Sequence, residues 1–293
     1  MIAVDWGSSS LRAFRLDRDG TVVDVRRSGQ GLLKAQGHFA EVLAEVIAGW
    51  DDSLVVMAGM VGSRQGWQEV PYVACEAAVP QIAAGMLRLD QDAFPQRQLW
   101  LVPGLSTLGA DQVPDVMRGE ESQLCGLLPM LGPGRHVVLL PGTHSKHVQI
   151  IDGRIARFAT FMTGELFAVL KQHSLLGRMM EDGPQDASAF AEGVSKAAQD
   201  SALLHQLFGV RTRALFDQLA PHQLPGYLSG LLIGHELLSL PAGCTHVHVI
   251  AAQSMAENYL AALQQRGIAA TLHGEDTVAV GLHLLAQARG LPA

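Results

Sequence analysis

The sequence is poor in cysteine: Cys75, Cys125 and Cys244 stand far apart among 293 residues. They make no CxxC pair and no even disulfide framework, which predicts a reducing compartment. Aromatic residues are scarce, at 5%, so Leu, Val, Ile and Ala must carry the packing. No apolar run reaches the roughly 18 residues of a membrane-spanning helix. Positive charge is neither abundant nor clustered: 21 Lys plus Arg stand against 28 Asp plus Glu, a net charge of −7. Phosphate backbones need clustered cations, so nucleic acid is an unfavoured partner, although a small anion held by local amides is not excluded. The opening MIAVDWGSSS meets an aspartate at position 5 and does not read as a signal peptide. No Gly-Lys pair exists for a Walker loop, GxGxxG is missing, and His235-Glu236 has no second histidine four residues on. These absences predict a cytoplasmic α/β protein with small-molecule partners and no membrane contact.

What is present is a large apolar fraction, 48%, with only 17% charged residues and 31 glycines. That composition supports a sizeable core in one large domain or two modest ones. Ile2–Asp5 is a strand running into Gly7-Ser8-Ser9-Ser10, and Leu11–Leu16 alternates as a second strand. Asp17–Gly20 is a turn, and Thr21–Val25 returns. The same story begins again at His136–Leu140, with the loop Pro141-Gly142-Thr143-His144-Ser145-Lys146, the strand His147–Ile151 and the turn Asp152-Gly153. With Gly7 set on Gly142, Ser8 meets Thr143, Ser10 meets Ser145, and Asp17 meets Asp152, ten residues after the glycine in both copies. Shared loop chemistry at shared spacing points to an internal structural repeat. After Thr163 the pattern turns helical, over Glu165–Leu176, Ala187–Gln199 and Leu224–Leu240. A strand at Thr245–Ile250 then leads through Ala251–Ser254 into a helix at Met255–Arg266. PMLGPGR at 129–135 is the best boundary, giving lobes of 1–131 and 132–293.

A tight loop of glycine and hydroxyl residues turns several N–H groups toward one point, which suits phosphate. Asp5, just before the first loop, is placed to hold Mg²⁺ directly or through water. One such loop is also an ordinary turn; two related loops half a chain apart argue for ligand.

Paired hairpin loops of this kind resemble the actin-like ATPase and sugar-kinase superfamily. The resemblance implies an α/β, two-lobed, ribonuclease H-like fold, each lobe a mixed sheet flanked by helices. It implies ATP and Mg²⁺, with phosphates on Gly7, Ser8, Ser9 and Ser10 and on Gly142, Thr143, His144, Ser145 and Lys146. Adenosine would lie against Ala252, Gln253 and Ser254, where the superfamily more often has glycine. A Gly-Asp pair opening a helix supplies the base in many of its sugar kinases. Gly119-Glu120 resembles that pair, with Glu121 and Asp111 as fallbacks.

The stretches AVDWGSSSLRA (3–13), VMAGMVGSRQGW (56–67), VMRGEESQ (116–123), LPGTHSK (140–146), MTGELF (162–167) and LSGLLIGHE (228–236) resemble one family, the 2-dehydro-3-deoxygalactonokinases. That resemblance implies transfer of phosphate from ATP to the 6-hydroxyl of 2-dehydro-3-deoxy-D-galactonate. It places the sugar acid near Gly59, Met60 and Ser63. The substrate carboxylate needs a cation. Arg12, Arg64, Arg118 and Lys146 lie in or beside the motifs, each either a ligand contact or a structural ion-pair partner. His144 either touches ligand or bonds within its loop, and Trp67 either walls the sugar site or packs in the core. Glu165 either binds a substrate hydroxyl or caps its helix. Kinases of other 2-keto-3-deoxy sugar acids, and polyphosphate or nucleotide hydrolases on the same fold, are the alternatives. A non-catalytic nucleotide-dependent regulator fits less well, since both loops and the Gly-Glu pair are intact. Homodimerisation is open.

Overall fold

The computed structural model describes residues 1–109, 111–199 and 202–292. Its contacts divide the chain into two compact units. One comprises 1–136 with 148–158 and 275–293, the other 137–147 with 159–274. The division is interleaved, where the sequence suggested one cut after residue 131, because the last helix packs with the first unit.

Among the described residues the first part of the chain supplies nine strands: β1 (Ile2–Trp6), β2 (Leu11–Leu16), β3 (Val22–Ser28), β4 (Leu54–Gly59), β5 (Val73–Ala74), β6 (Leu87–Leu89), β7 (Gln98–Leu101), β8 (Leu105–Leu108) and β9 (Pro114–Met117). Six of them form a sheet in the order β3-β2-β1-β4-β7-β6. β1 runs antiparallel to β2 and parallel to β4, bringing Asp5 opposite Arg12 on one side and Ala58 on the other. As a central strand it is apolar on both faces, with Ile2, Ala3, Val4 and Trp6 fully buried and Asp5 the polar exception. Four helices accompany this sheet: α1 (Leu32–Ala35), α2 (Phe39–Val46), α3 (Val79–Ala84) and α4 (Glu120–Leu127). In α2 the buried residues Phe39, Val42 and Leu43 recur at helical spacing and join a core with Trp6, Ile47 and Trp50. The helix ends at Val46, and Gly49 follows at φ +78°.

The second sheet has β10 (Arg135–Leu140), β11 (Ser145–Ile151), β12 (Arg154–Phe161), β13 (His246–Ile250) and β14 (Ala269–His273), in the order β12-β11-β10-β13-β14. β10, β13 and β14 are parallel. Between β11 and β12 the chain turns through Asp152 and Gly153, both at positive φ, the two-residue hairpin that Asp-Gly favours. Laid beside β3-β2-β1-β4-β7, this order repeats the same build, so the repeat predicted from Gly7 and Gly142 is real at the level of topology. It is the repeated mixed sheet of the actin-like ATPase fold.

Five helices, α5 (Thr163–His173), α6 (Ala187–Gln199), α7 (Leu203–Leu215), α8 (Leu224–Leu237) and α9 (Gln253–Gln265), belong to the second unit. Phe190, Val194, Ile233 and Leu237 from α6 and α8 close over Leu139, Val247 and Val249 of its sheet. The final helix, α10 (Thr277–Arg289), packs on α4. A Cβ on Gly126 would lie 2.0 Å from the Thr277 carbonyl oxygen, and one on Gly281 only 1.8 Å from that of Ser122. Only hydrogen at these positions lets the two backbones touch, and the contact fixes where the N-terminus of α4 points. No helix among the described residues is long and apolar enough to cross a membrane.

Candidate active site

In the first unit the site is assembled from the ends of β1, β4 and β9. Gly59 closes β4 at φ +95°, and Gly119 opens α4 at φ +111°. A Cβ on Gly59 would sit 2.6 Å from the Trp6 carbonyl oxygen, and one on Gly119 would meet the Gly59 Cα at 3.3 Å. Both the left-handed backbone and the close approach demand glycine here. The pair brings the start of α4 to the side of Asp5, whose Oδ1 lies 4.0 Å from the position of a Gly119 Cβ.

Glu120 is the first residue of α4, and its Oε2 accepts the Arg118 N–H at 3.0 Å. Glu121 beside it is fully buried; its Oε2 accepts the Gly119 N–H at 2.7 Å, and Ser122 Oγ lies 3.2 Å from its Oε1. Burial, then the neighbouring Glu120 charge, pushes the Glu121 carboxyl up to about 8. Two adjacent acids are thereby driven into different roles: one partly exposed, one a neutral buried acid near pH 7. Asp111 is exposed and accepts the Val113 N–H in a turn, far from this arrangement in character.

The arginines separate. Arg12 gives two hydrogen bonds to Asp5 Oδ2, at 2.6 and 3.2 Å, and one to Glu275 Oε2 at 2.7 Å. Burial alone would lower its pKa, but the two carboxylates outweigh that and raise it. Its guanidinium is therefore committed to protein acids. Arg64 is 88% exposed and reaches only Glu69, at 3.8 Å. Arg118 lies over the Tyr72 ring at 4.4 Å and donates from Nη2 to the Val70 carbonyl at 2.7 Å. Its Nε and Nη1 are buried without a hydrogen-bond partner, as is Ser63 Oγ. Trp67 belongs to the core: it stacks on Phe39 at 5.9 Å and meets Trp6 and Phe94 edge-on. Met60 also packs against that core.

The first loop is held tight by the Gly7 N–H bonded to the Ser10 carbonyl at 2.9 Å, with Ser8, Ser9 and Ser10 exposed. Behind it, Leu32 N–H bonds the Gly7 carbonyl, and Gly31 is pressed so close that a Cβ would lie 2.3 Å from Ser9.

The second loop lies in the second unit. Gly142 is half-buried, Thr143 and His144 are exposed, and Ser145 and Lys146 are buried. The start of α5 presses on it: Glu165 N–H bonds the Thr143 carbonyl at 2.9 Å, and a Cβ on Gly164 would lie 2.4 Å from the Gly142 carbonyl oxygen. Glu165 pairs with His144 Nε2 across this junction. Gly142, Thr143, Thr163 and Gly164 form one end of a cavity of about 440 Å³. Its other walls are Phe167, Leu232, Ile233 and Met255, with Gln185, Ser229, Asn258 and Tyr259 as polar groups. An apolar slot with a few polar groups, opening on a glycine-hydroxyl loop and a helix N-terminus, is suited to a nucleotide.

Comparison with known proteins decides the family. The model of the 2-keto-3-deoxy-galactonokinase family matches residues 5–285. This chain belongs to that family. It is 37% identical to the 2-dehydro-3-deoxygalactonokinase of Escherichia coli (strain K12) over 94% of this chain and 93% of that one. A probable 2-dehydro-3-deoxygalactonokinase of Rhizobium meliloti (strain 1021) is 36% identical, over 98% and 96% of the two chains. A crystal structure from Sinorhizobium meliloti, provisionally assigned as a 2-dehydro-3-deoxygalactonokinase, superposes with a TM-score of 0.90 at 34% identity, over 98% of this chain and 96% of that one. The protein is thus a kinase of the actin-like fold.

Within this galactonokinase-family chain, Asp5, Gly59, Gly119 and Glu120 are brought together as the motifs suggested. Ala252, Gln253 and Ser254 are the N-cap and first turn of α9, and the cavity is lined instead one turn later, by Met255, Asn258 and Tyr259. Gly164, Phe167, Gln185 and Ser229 escaped the sequence reading. Gly164 and Phe167 lay inside the motif MTGELF and Ser229 inside LSGLLIGHE, which gave a signal without a role. Among the described residues no group of three or more His, Cys, Asp and Glu side chains could hold a metal ion by itself. Arg12 occupies Oδ2 of Asp5, and Oδ1 faces Gly119.

Proposed function

We propose that this protein transfers the terminal phosphate of ATP to the 6-hydroxyl of 2-dehydro-3-deoxy-D-galactonate. The observation that carries the reading is the Gly59–Gly119 contact, which sets Glu120 at a helix start beside Asp5. The helix N-terminus favours the ionised form of Glu120, and an ionised carboxylate can orient the hydroxyl and accept its proton as the new P–O bond forms. Mg²⁺ held at Asp5 supplies neutralisation of phosphate charge when bound. The backbone amides of Gly142 and Thr143 hold phosphates, and the 440 Å³ cavity takes the nucleoside. Arg118 with Ser63 takes the substrate carboxylate: of the motif arginines it alone has neither a carboxylate partner within 4 Å nor full exposure among the described residues.

The test is ADP release, coupled to a chromogenic reaction, over a panel of 2-keto-3-deoxy sugar acids with ATP and Mg²⁺. The expected result is turnover with the galactonate-derived acid well above its C4 epimer; activity confined to another sugar class, or equal ADP release without any sugar acid, overturns the substrate. Arg118→Met is expected to raise the KM for the sugar acid by about 30-fold, as loss of a charge-assisted pair would. The KM for ATP should stay within about twofold. An unchanged sugar-acid KM removes Arg118 from the site.

A further inference from the structure

The motif LSGLLIGHE ends in Glu236, a residue to which the reaction as proposed gives no part. Glu236 is buried on α8, and it is the hub of a hydrogen-bonded cluster inside the second unit. His147 Nε2 lies 2.9 Å from its Oε1, and the Tyr259 hydroxyl donates to its Oε2 at 2.7 Å. Ser145 Oγ is 2.9 Å from the same tyrosine oxygen, and Thr163 also bonds it. All of Ser145, His147, Glu236 and Tyr259 are buried.

The direction of these bonds follows from chemistry. The tyrosine hydroxyl has one proton, and Tyr259 gives it to Glu236. Burial, then the Glu236 charge, raises the Tyr259 hydroxyl far above its ordinary value, so it remains a donor. Its oxygen can then only accept from Ser145 and Thr163. Ser145 has one proton and gives it to Tyr259, so that proton is not offered to a phosphate. Ser145 starts β11 at the end of the second loop, and Thr163 starts α5. The loop and the helix N-terminus that form one end of the nucleotide cavity are thus pinned to one side chain, which itself lines the cavity.

We propose that Tyr259, anchored by Glu236, is a positioning residue for the nucleotide phosphates: it holds the Gly142–Ser145 loop and the start of α5 in register, so that backbone amides meet the phosphates and the Ser145 hydroxyl does not. This rests on the nucleotide site proposed above and on nothing about the sugar acid.

The experiment is a double-mutant cycle of Ser145→Ala and Tyr259→Phe, read by calorimetric binding of Mg-ADP and by the separate KM values for ATP and sugar acid. Each single variant is expected to weaken ADP roughly tenfold, the scale of one lost buried hydrogen bond. The double variant should bind no worse than the weaker single one, because both remove the same connection. The KM for ATP should follow ADP affinity while the KM for the sugar acid stays within about twofold. Glu236→Gln, which keeps the volume and one acceptor, should fall between parent and Tyr259→Phe. Effects of the two substitutions that multiply, ADP affinity unchanged in Tyr259→Phe, or equal rises in both KM values would each overturn the proposal. ADP binding needs no sugar acid, so a chain that phosphorylates none of the panel refutes the kinase substrate while the cycle still decides this inference.

Discussion

Glu120→Gln is expected to fold like the parent and to lose phosphoryl transfer by about 10²-fold or more, the scale on which general acid–base catalysis contributes. The substitution is conservative in shape. The amide oxygen of glutamine can still accept the Arg118 N–H that Glu120 Oε2 accepts at 3.0 Å, so the start of α4 keeps its bond. What is lost is the charge that, in the proposed reaction, attracts and receives the hydroxyl proton. The loss should appear in kcat, with the KM for the sugar acid little changed, because a group acting mainly in the transition state adds little to ground-state binding. Glu121 does not substitute for it: that carboxyl is buried completely, bonds Gly119, and is pushed up to about 8. Asp111 is a turn residue. Coupled ADP release at saturating ATP across a sugar-acid titration measures both constants. Near-parental kcat would remove Glu120 from the reaction.

The parts of this fold that were legible in the sequence are those whose cause is local. The two hairpins carry their own turn chemistry, Asp17–Gly20 and Asp152-Gly153, and their strands are apolar on schedule. α6 begins and ends where its periodicity does, at Ala187 and Gln199. Parts caused by distant neighbours were not legible. β14 is AATLH, a short edge strand in which Ala270 and Leu272 pack on the core, too brief a pattern to read alone, and it exists because β13 offers it a ladder. The three-stranded sheet β5-β8-β9 is likewise short and partly exposed. The same split runs through the site. Gly59 and Gly119 announce themselves in motifs, yet that each makes room for the other appears only in space. Arg12 read as either a ligand contact or an ion-pair partner until Glu275, 263 positions away, took one side of its guanidinium. Trp67 read as either sugar-site wall or core, and Phe39 and Phe94 against its ring place it in the core. The cavity beside the second loop draws on α5, the 183–185 segment, α8 and α9, which no spacing rule connects.

Glu121→Gln is expected to reverse part of the pH dependence of stability in the first unit. The carboxyl sits at about 8 folded, against 4.5 for the ordinary group. Below the unfolded value both states carry the proton, and the residue makes no difference between them. Between the two values the folded state keeps a proton that the unfolded chain has released, so stability falls as pH rises, by about 1.4 kcal/mol per pH unit. Above the folded value both states are ionised, and the accumulated loss reaches on the order of 5 kcal/mol. Glutamine is neutral throughout: its carbonyl can accept the Gly119 N–H, and its amide can donate to Ser122 Oγ, so the site keeps its bonds without the titration. The two proteins should therefore have similar stability near pH 5, with the variant gaining steadily toward pH 9. All four tryptophans, Trp6, Trp50, Trp67 and Trp100, lie in the same unit as Glu121, so urea unfolding followed by tryptophan fluorescence reports the right transition. Other titrating groups are shared and cancel in the difference between the curves. A difference that stays flat from pH 5 to pH 9 would mean that Glu121 is ionised in the folded protein, and that the neutral acid behind Glu120 does not exist.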